Sequence, residues 1–270
     1  MAQTKTDSTP VRTIGRSRRI TFYAVVGVTL AAMAAYPPLL IGPIAAWLNE
    51  STIDSLFGEE GLGVHRVHLA GASLLFWLTI VALVSQFRRP ETKAAPVWAA
   101  AAGWVVFLPI ELTHLVDPFS IIITILEVVV VMLHPRRWPE EGVTWRRSPR
   151  ALAVLGAAAG VVYAYQQTVL QVGGLAEDPH VAASHYALMT ALAIGLSASA
   201  LFGATDFPGH HISAWTVGVV TIILGVFFIG HPDQASSPGL VWGVAMVAWA
   251  LAYLVINARP VAAEFAASET

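Results

Sequence analysis

The stretch "PHVAASHYALMTALAIGLSASALFGATDF", Pro179–Phe207, decides the class of fold. Its apolar run from Val181 to Phe202 has membrane length, because about 20 residues at 1.5 Å each cross a bilayer. Yet His185 sits about one turn inside that run. An imidazole at this depth is either a helix-end residue or a ligand. Which it is depends on whether other histidines share its level.

Composition puts the whole chain in the same setting. Of 270 residues, 56% are hydrophobic and 12% charged, and the mean hydropathy is +0.66. A soluble domain carries about 25% charged residues, so the expected surroundings are lipid. The net charge of −2 and the lack of a basic tract with interleaved aromatics exclude a nucleic-acid partner. With no cysteine, thiolate metal sites, iron–sulfur clusters and thiol nucleophiles are excluded, and nine histidines remain as the main chemical resource.

Eight apolar runs predict eight transmembrane helices, roughly Ile20–Tyr36, Val64–Phe87, Ala94–Leu115, Phe119–Leu133, Ala151–Gly173, Val181–Phe202, Ile212–Ile229 and Leu240–Ile256. Helices are required because an open strand leaves backbone groups unsatisfied in lipid. The fold class is therefore all-α. Arg16, Arg18 and Arg19, then Arg88, Arg89 and Lys93, then the basic Arg136–Arg150 tract, and finally Arg259 fall in alternate connections. By the positive-inside rule both termini face the cytoplasm of a multi-pass inner-membrane protein. The small residues of "AAMAA" after the first run resemble a signal-peptide end, but the run is read as retained; cleavage would leave seven helices in the same orientation.

A shift of 117 residues lays His68 on His185, Trp98 on Trp215 and His114 on His231. This predicts a 4+4 duplication. Residues 20–135 and 151–257 are the two four-helix repeats, 136–150 is a basic cytoplasmic linker, and 1–19 and 258–270 are cytoplasmic tails.

On this topology His65, His68, His114, His185 and His231 all lie near the outer face. Neutral imidazole ligates haem iron, copper and zinc, and two rings from facing helices can clamp one iron. His65 and His68 share a helix face three residues apart. Arg66 pairs either with a carboxylate such as a haem propionate or with Glu59 or Glu60. Interface residues hydrogen-bonded to nearby loops are the plainer reading of each histidine. His134, His210 and His211 fall on the cytoplasmic side, the last two solvent-exposed in "FPGHHISAW", which reads as a loop with a helix start, and His180 is read as surface.

Glu111 and His114 form Glu-x-x-His, but the repeat position of Glu111 is Phe228 and a di-iron carboxylate set is incomplete. Glu127 is placed mid-membrane. Both glutamates are candidates for a proton path, since an intramembrane carboxylate is functional by default. The only lysines, Lys5 and Lys93, lie outside the spans, which excludes retinal chemistry. No phosphate-binding glycine loop, nucleophile elbow or other complete catalytic constellation is present.

With these residues laid out, the sixth run resembles a helix of the haem–copper oxidase subunit I superfamily, in which His-x-His-Tyr opens an outside-to-inside helix. Here Ala183 stands at the first position, followed by His185-Tyr186. "HISAWTVGVVTIILGVFFIGH" is similar to that family's next helix, with Phe227 and Phe228 ahead of His231, and "HRVHLAGASLLFW" to its second helix. The resemblance covers about three helices. It implies that His185 and either His68 or His65 ligate one low-spin haem b. With Ala183 in place of a ligand and no copper-binding histidine set at the outer positions, it does not support copper. His65-Arg66 and the eight-helix duplication also resemble haem A synthase, which implies haem-modifying oxidation. That family's His-Arg in the sixth helix is His185-Tyr186 here.

The expected function is a bis-histidine, haem-binding membrane protein for electron transfer or for gas or metal handling in a respiratory chain, with a redox partner subunit. The iron ligands would be His68 and His185. A transporter or scaffold without haem is the alternative, supported by the duplication, Glu127 and the break at Pro37-Pro38.

Overall fold

In a computed structural model, residues 15–45, 47, 66–113, 117–136, 142–175 and 177–268 are described. They form ten α-helices. These are α1 (Arg16–Ala34), α2 (Pro37–Ala45), α3 (Arg66–Val84), α4 (Ala94–Glu111), α5 (Pro118–Leu133), α6 (Arg147–Gly173), α7 (Pro179–Ala182), α8 (His185–Gly203), α9 (His210–Gly230) and α10 (Leu240–Ser268). A single isolated bridge, Trp145 to Thr205, is the only β pairing among them.

Six of the helices are long and apolar enough to cross a membrane. They run over Arg66–Phe87, Ala94–Glu111, Arg147–Gly173, His185–Gly203, His210–Gly230 and Leu240–Ala258. The first expected run is a bent pair, α1 with α2, turned by 46° where Pro37 and Pro38 interrupt it. The fourth, α5, is apolar but only 16 residues long. Each of the eight expected runs thus coincides with a helix, and six meet the length requirement on their own.

Packing separates buried helices from peripheral ones. α3, α4 and α8 bury most of their surface, whereas only 22% of the apolar window of α6, and the same share of α10, is covered. The outward side chains of those two include Leu155, Val162, Val169, Val241, Trp242 and Leu251. A large exposed apolar surface of this kind calls for lipid around it.

Close contacts need small residues. Gly103 of α4 and Gly195 of α8 let those backbones approach, and a β-carbon on Gly103 would lie 2.7 Å from the Ala191 carbonyl. Gly225 and Gly243 do the same, reciprocally, between α9 and α10.

The basic helix ends gather at one end of the bundle. Arg18 Nη2 donates to the Met132 and His134 carbonyls. The linker's far end docks on the α8–α9 loop, where Arg146 N donates to the Ala204 carbonyl and Thr144 donates to both carboxylate oxygens of Asp206.

The Thr144 hydroxyl holds the Asp206 carboxyl below its usual range. A depressed folded value means this stabilisation is present above the unfolded carboxyl's value near 4 and is lost as pH falls through the folded one. Asp206→Asn should cost less than about 1 kcal/mol at neutral pH, because the pair is open to solvent. The difference from wild type should disappear near pH 3 in thermal unfolding of the detergent-solubilised protein.

Candidate functional site

At the end of the bundle opposite Arg18 and Arg146, the chain brings three imidazoles together. His68 lies in the first turn of α3 and His185 opens α8; they are 2% and 8% exposed. Their ring centres are 4.9 Å apart, with planes inclined by 28°. His180, on the short helix α7, completes the group at 5.1 Å from His68 and 6.0 Å from His185. Tyr186 stacks on His180 at 5.5 Å and meets His68 edge-on at 5.5 Å.

Local sequence explains the placement. Asp178-Pro179 starts α7 as an acceptor N-cap followed by proline at the first helical position. The Asp178 carboxylate accepts from His180 N and also meets His180 Nδ1, both at 2.9 Å. Ser184, at φ 54°, then turns the chain between α7 and α8, leaving the His180 and His185 rings 6.0 Å apart.

Gln171, buried on α6, fixes this turn from behind. Its Nε2 donates to the Val181 carbonyl at 2.9 Å, and its Oε1 accepts from Ala187 N at 3.2 Å. Tyr163, Gln167 and Gln171 recur every four residues and share one face of α6.

The loop after α9 closes over His68. Gln234 Oε1 accepts from Val67 N at 3.1 Å, and the Tyr163 hydroxyl donates to the Ser236 carbonyl at 2.6 Å. Ser236 Oγ donates to Gln167 Oε1 and lies 2.6 Å from His68 Nε2. A hydroxyl has one hydrogen. With that hydrogen on Gln167, His68 Nε2 must be the donor, and Nδ1 is the basic nitrogen. By the same reasoning the carboxylate on His180 Nδ1 makes Nε2 the basic atom there. Partners that fix the tautomer of an imidazole in this way are those found behind metal ligands.

The fit of a cofactor follows from these distances. Two imidazoles trans on one iron have ring centres about 6 Å apart, with the macrocycle's plane between them, given metal–nitrogen bonds of about 2.0–2.1 Å. His68 and His185 are closer than that. One turn deeper, Gly71 is packed so tightly on Met189 that a β-carbon on it would lie 2.1 Å from the sulfur. As they stand, the two rings are about 1 Å closer than that arrangement needs.

Three imidazoles around one tetrahedral ion would have ring centres about 5 Å apart, from the same bond length, which is close to the separations here. Among the described residues no three His, Cys, Asp or Glu side chains are arranged as they stand to hold a metal ion. Binding therefore requires the rings to turn in place.

The other expected site residues divide. His65, His114, Glu59 and Glu60 lie outside the described residues. Arg66 begins α3 and is close enough to His231 for its charge, after burial, to help push that imidazole's pKa down. His231 does not join the trio: its ring lies 5.2 Å from Trp47 and 6.2 Å from Phe227.

One reading needs correction. His180, expected at the surface, is partly buried in the cluster because Asp178 anchors its ring. His134 lies beside Arg18 and is fully buried at the end of α5, with Nε2 on Gln86 Oε1 at 3.0 Å. His211 is exposed and His210 partly so.

Gln167, Gln171, Ser236 and Tyr163 were not singled out from the sequence. The spacing of polar residues on an otherwise apolar α6 was the available signal. Two cavities, of about 460 and 520 Å³, open among other side chains, and none of the three imidazoles lines either. No protein-family model, curated protein or solved structure matches the chain.

Proposed function

We propose that this is an integral membrane protein that holds a first-row transition-metal ion, of the zinc or copper class, on His68, His180 and His185 near one membrane face. Its role would be metal handling or electron transfer. The observation that carries this reading is the meeting of imidazoles from α3, α7 and α8 at ring separations of 4.9–6.0 Å. Imidazole suits zinc, copper, nickel and iron. His68 backed by Ser236–Gln167 and His180 backed by Asp178 are ligands with outer partners already in place.

The same reading includes eight spans in two related halves, with both termini cytoplasmic. Packing supports it: α3 lies against α9 as α4 lies against α8, and α5 against α4 as α10 against α9. The inner-membrane orientation rests on the arginines at the helix ends opposite the imidazoles.

Titration calorimetry of the purified protein with Zn²⁺ and Cu²⁺ tests the assignment. One site per chain is expected, and no saturable binding of either ion would refute it. A visible spectrum of reduced minus oxidised protein decides against this geometry if a sharp haem band depends on His68 and His185. Asp178→Asn should weaken the ion's affinity by about 10–100-fold, the range for outer-partner changes, with the helical content unchanged.

A further inference from the structure

Glu127 stands apart from the imidazole cluster and has an environment of its own. It is 0% exposed, near the middle of α5 in the first half of the bundle. Neither carboxylate oxygen has a hydrogen-bond partner among the described residues. α1 and α4 pack against α5. No hydrogen bond reaches either oxygen from these helices among the described residues. An ionised carboxylate without a partner is strongly disfavoured in such a place, so the resting form carries a proton.

The residues above and below it form a line. Ser120, Thr124, Glu127 and His134 are spaced four, three and seven along α5 and therefore share one face. At the histidine end of the bundle, Glu111 closes α4 beside Asp117 and the Ser120 hydroxyl, with its Oε2 buried and unpartnered among the described residues. At the arginine end, His134 is the last member, and Glu91 and Arg18 are the charged groups that act on it. The steps within the stripe are about 5–6 Å from Ser120 to Glu127 and about 10 Å from Glu127 to His134 by helical rise, distances that one to three waters bridge.

A metal cation is a poor occupant. Sodium or calcium requires about six oxygen ligands. The one further side-chain oxygen within a turn of Glu127 on that face, Thr124 Oγ1, donates to the Trp104 carbonyl at 3.4 Å.

We propose that Glu127 is the central carrier of a transmembrane proton path along α5, running from Glu111 and Ser120 at one face to His134 at the other. In each transfer the Glu127 O–H bond breaks as the proton passes through water to the next acceptor. A new O–H bond forms when a proton arrives from the Glu111 side, so no electron moves and no co-reactant is consumed. The path shares no residue with the imidazole site and does not rest on it.

The test uses the full-length protein in liposomes with a pH-sensitive dye inside and a potassium diffusion potential set by valinomycin. Wild type should acidify the lumen at least tenfold faster than empty vesicles. Glu127→Gln should fall to the empty-vesicle rate, Glu127→Asp should keep part of the flux, and Val241→Leu, on the exposed face of α10, should keep all of it. Wild-type flux no faster than empty vesicles, or Glu127→Gln conducting like wild type, overturns the proposal. If Glu127→Gln does not fold, wild type decides by infrared spectroscopy. A protonated-carboxyl carbonyl band that shifts in ²H₂O supports the path; a missing or non-exchanging band overturns it.

Discussion

His185→Ala lowers the affinity for Zn²⁺ by more than about 100-fold, beyond the range that loss of an outer partner produces. The ring of His185 is 4.9 Å from that of His68 and 6.0 Å from that of His180, so its removal leaves two imidazoles where three met. Two ligands on a borderline ion leave half of a tetrahedral shell to water.

His68→Ala should do the same, and it also releases Ser236 from the His68 Nε2 contact that helps hold the loop after α9. His185→Gln separates ligation from packing: it fills much of the volume with a poor metal ligand and should match the alanine variant in affinity while staying closer to wild type in stability. His211→Ala, at the opposite end, should change nothing. Calorimetry on the four variants reads all of these outcomes together.

The second large effect concerns the crossing of α9 and α10. A β-carbon on Gly225 would lie 2.9 Å from the Gly243 carbonyl, and one on Gly243 would lie 2.8 Å from the Gly225 carbonyl. The clash is with backbone on both sides, so no side chain can rotate away from it. Gly225→Ala should therefore destabilise by about 1–3 kcal/mol, the usual cost of overpacking, and Gly225→Leu by more.

In lipid there is no water to drive helices together, so close van der Waals contact is a principal source of association. A leucine here removes that contact along the whole crossing. Val241→Leu, on the exposed face of α10, adds bulk where only lipid is met and should be neutral. Thermal unfolding in detergent, followed by circular dichroism, ranks the three. An unchanged midpoint for Gly225→Leu would mean that the crossing is not where the structure places it.

Much of this was legible because membrane constraints write themselves into composition. The apolar runs around Leu69–Val84 and Leu188–Leu201 could only be helices, and basic residues marked the helix ends. His68 and His185 could be paired from their equal depth.

What the chain did not disclose came from turns and partners remote in sequence. Ser184 in a left-handed conformation is what swings His180 back toward His185, and no periodicity announces it. Ser236 reaches His68 across 168 residues. The close approach of α3 and α8 one turn below the rings involves Gly71 meeting Met189, a contact between two helices that each look ordinary alone. The buried place of His134 depends likewise on Gln86, 48 residues away.

The central claim is that side chains from α3, α7 and α8 hold one ion together. X-ray absorption at the metal edge of the zinc-loaded protein reads this directly. Three imidazole nitrogens at about 2.0–2.1 Å are predicted in wild type, with one fewer in His185→Ala. A shell made only of oxygen, or the same number of imidazoles in both proteins, would contradict it.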